Sequence, residues 1–397
     1  MSGGTPSKAN PAYWEGDIPW VSSREMDQDR IADTPLHITS DAAEAGSRLV
    51  PPGTVLAVVR GMSLAKEFRV AITQRQVAFN QDLKAFACLP DVDAVFLFYA
   101  LLARREYIRD LATEASHGTK KLETDVLAAV EIKVPDVSIQ KRIAGILSAY
   151  DDLIENNRRR MALLEQAARL LYEEWFVRLR FPGHERTRIV DGLPEGWERV
   201  PLAALCAPDD GIQTGPFGSQ LHQSDYCDEG VPVVMPKDLV AYRVALDGIA
   251  RIPEPTAQKL CRHRLAVGDT VYGRRGDIGR RAFVSHRQAG WLCGTGCLRL
   301  RPNPMAIQPR YFFDGLGSPE TAGTIANRAK GATMPNLNAA VLRSVPLLVA
   351  ARHLQERYVA QVENTSEQVD ALEAQNHRLR AARDLLLPRL MSGEVEV

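Results

Sequence analysis

Two stretches of the chain place apolar residues at alternating spacings of four and three. The first runs through Ile143, Leu147, Tyr150, Ile154, Met161, Leu164, Ala168, Leu171 and Trp175, with Asn157 its one polar member. The second runs through Tyr358, Val362, Thr365, Val369, Leu372, Asn376, Leu379, Arg383, Leu386 and Leu390. That spacing is the seam of a coiled-coil helix, and it predicts spacer helices over 139–181 and 354–392. Forty residues at 1.5 Å each make about 60 Å, longer than the side of an ordinary domain, so the two helices are expected to pair with each other. Thr365, Asn376 and Arg383 make the second seam the more polar; such residues cost stability and fix register and partner. Elsewhere the pattern shortens to β-rich runs bounded by Gly and Pro, such as Thr54–Val59, Ala282–Ser285 and Cys297–Leu300. A helix is predicted from Val95 to Leu111, with a shorter counterpart around Tyr311 to Phe313. The fold class is mixed α/β.

The chain repeats itself. Gly53-Thr54-Val55-Leu56-Ala57-Val58-Val59-Arg60-Gly61 resembles Gly268-Asp269-Thr270-Val271-Tyr272-Gly273-Arg274-Arg275-Gly276 at an offset of 215. Leu122, Val126 and Val130 fall on Leu337, Val341 and Val345, and Ile139-Gln140-Lys141-Arg142 on Leu354-Gln355-Glu356-Arg357, at that same 215. The order is therefore unit, helix, unit, helix: a first globular unit over 1–138, a spacer helix over 139–181, a second unit over 182–353 and a second spacer over 354–392. Such a repeat implies a pseudo-two-fold relation, which sets the helices antiparallel. The first unit has no counterpart of Pro194-Glu195-Gly196-Trp197 through Leu205. Either the assigned start lies downstream of the true one, or the first unit closes its sheet differently.

Composition narrows the function. The 397 residues are 45% hydrophobic, with 49 Lys+Arg against 49 Asp+Glu. Zero net charge excludes a uniformly basic coat, so any anion-binding surface comes from local clustering. Six cysteines without a C-x-x-C, a polar N-terminus and no apolar run of about 20 residues lead to an expectation of a cytoplasmic protein without membrane contact. No Walker A loop, G-x-S-x-G, H-E-x-x-H, kinase set or methyltransferase Asn-Pro-Pro-aromatic loop occurs. Glu131-Ile132-Lys133 has the spacing of a nuclease half-site, but its counterparts at 346 and 348 are Pro and Leu, and it reads as polar alternation on a short strand ending at Pro135. Cys293 and Cys297 near His286 lack a zinc spacing and read as small buried hydrophobes. No catalytic residue and no metal site is expected.

The order of parts, with Gly192-Leu193-Pro194-Glu195-Gly196-Trp197-Glu198 opening a unit, resembles the DNA specificity subunit of type I restriction–modification systems. Gly3-Gly4-Thr5-Pro6-Ser7, Tyr13-Trp14 and Asp17-Ile18-Pro19-Trp20 are similar to the start of a target-recognition domain in that family. Gln140-Lys141-Arg142-Ile143-Ala144, Leu170 to Phe176 and Leu385 to Gly393 resemble its helices. The resemblance implies a non-catalytic reader of double-stranded DNA, with two target-recognition domains that each read half of a bipartite, asymmetric site. It also implies docking to two methyltransferase subunits and to restriction/translocase subunits. S-adenosylmethionine, ATP and Mg2+ then belong to those partners and not to this chain. The rival is a coiled-coil adaptor that binds only protein.

Candidate DNA contacts follow from charge and repeat. Arg262 to Arg287 holds seven arginines against Asp269 and Asp277, with Gly273, Gly276 and Gly279 interleaved. Arginine's planar fork suits phosphate oxygens and the guanine edge, so Arg274, Arg275, Arg280 and Arg281 are candidates, as is Arg60, the counterpart of Arg275. A second pair of loops holds Lys120 and Lys121 in one unit and Lys330 and Thr333 in the other, each before a short helical segment. Asn80 and Gln81 carry amides that suit adenine. Trp20, Ser22, Ser23 and Arg24 align with Val233, Met235, Pro236 and Lys237, so the side chains differ where the plan repeats.

Overall fold

The computed structural model describes residues 1–397 except 116–117, 219, 247, 276 and 330–335. Contacts divide the chain into two units, residues 1–157 with 373–397 and residues 158–372. Each unit thus contains a globular part and a stretch of both long helices. Those helices run Val137–Tyr172, continued by a π-turn at Glu173–Val177, and Arg352–Ser392. Among the described residues no helix is long and apolar enough to cross a membrane.

In the first unit, Val55–Val58 is the central strand of one sheet, antiparallel to Val70–Thr73 on one side and Leu83–Phe86 on the other. All four of its residues are buried, which is why the run is continuously apolar instead of alternating. Ile18–Val21 lies in a second sheet, parallel to Val77–Phe79 and antiparallel to His37–Ile38. Ala94–Ala103, capped by the Asp93 carboxylate, buries Phe96, Phe98 and Tyr99. The second unit repeats the plan. Thr270–Gly273 pairs antiparallel with Cys297–Leu300 and Arg281–Phe283, and Val231–Val234 pairs parallel with Leu292–Cys293 and antiparallel with Ala250–Ile252. Pro309–Gly315 takes the place of Ala94–Ala103.

A glutamine fixes the start of each long helix. In the first unit Gln140, fully buried, accepts from the Asp93 amide at 2.8 Å and donates to the Pro135 carbonyl at 2.7 Å. In the second, Gln355 accepts from the Gln308 amide at 3.0 Å and donates to the Ala350 carbonyl at 2.7 Å. Each of these residues lies 215 from its counterpart, so the repeat extends to individual hydrogen bonds.

The helices pair antiparallel in each unit. In the first, Ile143 and Leu147 share a core with Leu387 and Leu390, and Asp151 binds Arg383 at 2.5 Å. In the second, Met161 packs on Val369 and Leu372, and the Tyr358 hydroxyl donates to the Ala168 carbonyl at 3.3 Å. Charged contacts join helix to globular part: Arg30 to Asp152 in one unit, and Arg243 to Glu165 at 2.8 Å in the other.

One expected strand is absent. Pro346–Val349 pairs over four residues with Glu198–Pro201, and Trp197 ahead of that strand stacks on Phe181 and Phe176. In the first unit Glu131 to Pro135 is not a strand, and no segment among the described residues pairs with it. Polar alternation there lacks a neighbour to make a ladder with. Glu131 and Lys133 are simply exposed.

Candidate nucleic-acid interface

Backbone hydrogen bonds gather four loops of the first unit at one edge. The Asn80 amide donates to the Val21 carbonyl at 2.9 Å, setting the 80–82 turn beside the end of Ile18–Val21. The Val59 amide donates to the Asp82 carbonyl at 2.9 Å, and the Leu122 amide to the Val59 carbonyl at 2.8 Å. Beyond these points the chain continues as Ser22 to Arg24, as Arg60, as Gln81 and as Lys120 with Lys121. The last loop forms a small sheet in which Arg60 faces Lys121 and Gly61 faces Lys120, with Thr113–Glu114 on the outer side. Arg60 and Arg24 are exposed, and Lys120 is half-buried. Lys121 pairs with Glu123 at 2.6 Å.

The second unit builds the same edge. The Gly294 amide donates to the Val234 carbonyl at 2.9 Å, the Arg274 amide to the Gly296 carbonyl at 2.8 Å, and the Leu337 amide to the Arg274 carbonyl at 2.9 Å. Arg275 bridges Asn336, which is the Arg60–Lys121 pair moved by 215. Glycine is required at 294, because a Cβ there would lie 2.5 Å from the Met235 sulfur and 2.7 Å from the Val234 carbonyl oxygen. Arg275 is exposed, and Arg274 is half-buried with its Nε donating to the Leu337 carbonyl at 3.1 Å. Lys237 is exposed but is held by the Gly248 carbonyl at 2.9 Å and by Asp238 at 3.0 Å. Lys330 and Thr333 lie outside the described residues.

Three candidates point inward, and the structure removes them from this surface. Trp20 is 6% exposed, stands edge-on to Trp14 and donates to the Gly4 carbonyl. Asn80 is 5% exposed, and its side-chain oxygen accepts from the Asp82 amide in a closed turn. Arg281 is 6% exposed and lies over the rings of Tyr242 and Phe313, with burial drawing its pKa down. Arg280, just ahead of the strand Arg281–Phe283, goes out to Asp277 at 2.9 Å, and Arg281, its first residue, goes in. Ser22 is half-spent, its amide and hydroxyl both donating to the Glu25 carboxylate; Ser23 is half-buried. Gln81 is exposed and accepts from the Thr5 hydroxyl at 2.6 Å.

Two further arginines of the run are held within the fold. Arg264 binds Glu254 and the Gly290 carbonyl, and Arg287 binds the Asp370 carbonyl. Cys293 and Cys297 are buried thiols; burial pushes Cys293 up to about 12 and Cys297 well above its usual value. Two edge positions escape a search by charge: Asn336, opposite Arg275, and the Thr295–Gly296 turn. Adding 215 to Lys121 finds Asn336, and the turn falls at an offset of 214 from Gln81 and Asp82.

Residues 1–166 match the family model of the type I restriction modification DNA specificity domain. The whole chain aligns with 90% of the type I restriction enzyme MjaIX specificity subunit of Methanocaldococcus jannaschii, at 25% identity. A 38% portion aligns at 29% identity with 38% of the EcoR124I/EcoR124II specificity subunit of Escherichia coli. In three dimensions 98% of the chain superposes on 92% of the S subunit of a type I restriction-modification system from M. genitalium, with a TM-score of 0.55 at 16% identity. By the domain at residues 1–166 and by its alignment along the whole chain, the protein is similar to the specificity subunits of type I restriction–modification systems.

Proposed function

We propose that the chain is the DNA-reading subunit of a type I restriction–modification complex, with residues 1–138 and 182–353 as two target-recognition domains, each reading one half of a bipartite target. The observation that carries this is the loop edge built twice with different side chains: Arg60 faces Lys121 in one unit, and Arg275 faces Asn336 in the other. One backbone plan with two chemistries suits two unlike half-sites. A repeat that served packing alone would have no reason to vary its exposed cations. Arg24, Arg60, Lys120, Arg274 and Arg275 are the proposed contacts, supported by Gln81, Lys237 and Arg280 at the rim. The spacer helices over 139–181 and 354–392 carry the domains. Two methyltransferase subunits and the restriction/translocase subunits are the proposed partners, and S-adenosylmethionine, ATP and Mg2+ act on them.

The test is a domain exchange. Residues 1–138 are replaced by those of a relative, and the methylome of a host with the cognate methyltransferase is sequenced. One half of the methylated motif should change and the other should persist. A change in both halves would sink the modular reading. Failure of the wild-type assembly to bind any duplex would favour the protein-only adaptor.

A further inference from the structure

The seam contains a polar pair whose position in the repeat carries information. Asn157 and Asn376 are each 3% exposed. The Asn157 amide donates to the Asn376 side-chain oxygen at 2.9 Å and to Gln375 at 3.2 Å, and the Asn376 amide donates to the Ile154 carbonyl at 3.3 Å. Each buried side-chain nitrogen thereby donates to the opposite helix. The 215 offset carries Asn157 to Leu372 and Asn376 back to Met161. Those two counterparts pack together in the second unit, in an apolar cluster with Val369. Unlike helices therefore set Asn on Asn and Met on Leu.

Like helices would not. The same antiparallel register, applied to two copies of the first helix, sets Asn157 of each against Met161 of the other. Applied to two copies of the second helix, it sets Asn376 against Leu372. Either pairing buries two amides against thioether or alkyl surface, where they keep the full cost of lost hydration. A second pair acts in the same sense. Asp151 and Arg383 bind each other, and their counterparts are Ser366 and Ala168, so like pairing sets Asp151 against Ala168. Asp151 also accepts from Tyr99 on its own side, which makes it the weaker discriminator.

We propose that the two spacer helices are coded to pair with each other and against a second copy of themselves, with Asn157–Asn376 as the code. Two chains then do not join through like helices, and each chain keeps its two different units together. This holds whether or not those units read DNA.

The test begins with the folded full-length chain carrying a specific protease site in the exposed turn at His184–Arg186. The cut protein is dissociated in urea, refolded, and weighed by native mass spectrometry. Wild-type pieces should return as unlike pairs, with like pairs at least about tenfold below the statistical proportion. Asn157→Met with Asn376→Leu makes the four facing positions 157, 161, 372 and 376 all apolar, so unlike pairs still form and like pairs should rise toward that proportion. Statistical mixing of the wild-type pieces, or unchanged discrimination in the double variant, overturns the proposal. A second measurement needs no cut. The intact chains are refolded at rising concentration and followed by sedimentation, where the variant should give dimers at concentrations that leave wild type monomeric. Equal dimer fractions overturn the proposal independently.

Discussion

At the scale of the residue, exposure separates arginines that the sequence alone treats alike. Arg60 and Arg275 project from the small edge sheets, and no side-chain partner holds either among the described residues. Arg60→Ala and Arg275→Ala should therefore leave thermal unfolding unchanged while weakening binding to target DNA. If the contact is to phosphate, affinity should fall for all sequences alike and the salt slope should drop by about one; if it is to a base, one target position should relax by about 1–3 kcal/mol. Wild-type affinity in both variants would refute the interface. Arg281→Ala should do the reverse, costing about 2 kcal/mol or more of stability through lost packing on Tyr242 and Phe313. His263 supplies a pH effect. It is buried, and desolvation together with Arg262 and Arg299 holds its pKa below the ordinary 6.5. The unfolded chain then binds the proton first, so stability is full above about 6.5 and falls as pH drops toward the lowered folded value. Urea midpoints between pH 5 and 7.5 should show this slope, and His263→Phe should flatten it.

At the scale of the element, the long helices are legible in the sequence because a period of 3.5 residues, held over about nine turns, arises from little except a coiled-coil seam. The continuously apolar strand Val55–Val58 and its counterpart Thr270–Gly273 are legible through the repeat. What does not read from sequence is whatever depends on a neighbour. Glu131 to Pro135 alternates like a strand, but a strand exists only through its ladder, and Glu198–Pro201 supplies one only to Pro346–Val349. Arg281 sits in a basic run, and only its place as the first residue of a paired strand turns it inward over Tyr242 and Phe313. Trp20 and Asn80 lie at the same loop edge as Arg60 but point inward. The glutamines show the opposite case, a visible match whose cause needs the structure. Gln140 and Gln355 each tie a long-helix start to the segment before a domain helix. Gln355→Ala should strand the Gln308 amide and the Ala350 carbonyl and cost about 1–3 kcal/mol in urea unfolding. Gln140→Ala should do the same through Asp93 and Pro135. A loss below about 0.5 kcal/mol in both would make them incidental.

At the scale of the whole molecule, each long helix contributes one stretch to either unit: residues 137–157 with 373–392 in the first, 158–172 with 352–372 in the second. If the helices set the distance between two DNA-reading edges, their length should be written into the target. Deleting 157–163 from the first helix and 372–378 from the second removes one heptad from each and keeps both seams in phase. Asn157 and Asn376 leave together, so neither amide is stranded. Each helix shortens by about 10 Å, which corresponds to roughly three base pairs of duplex at about 3.4 Å each. Three base pairs also turn one half-site by about a quarter of a helical turn, at roughly 10.5 pairs per turn, so total affinity should fall. The binding that remains should favour targets with the same two half-sites and a shorter gap. Methylation or binding measured across duplexes whose central gap changes one base pair at a time reads this directly. A shortened protein that binds well and keeps the wild-type gap would show that the helices tether the domains without measuring the distance between their half-sites.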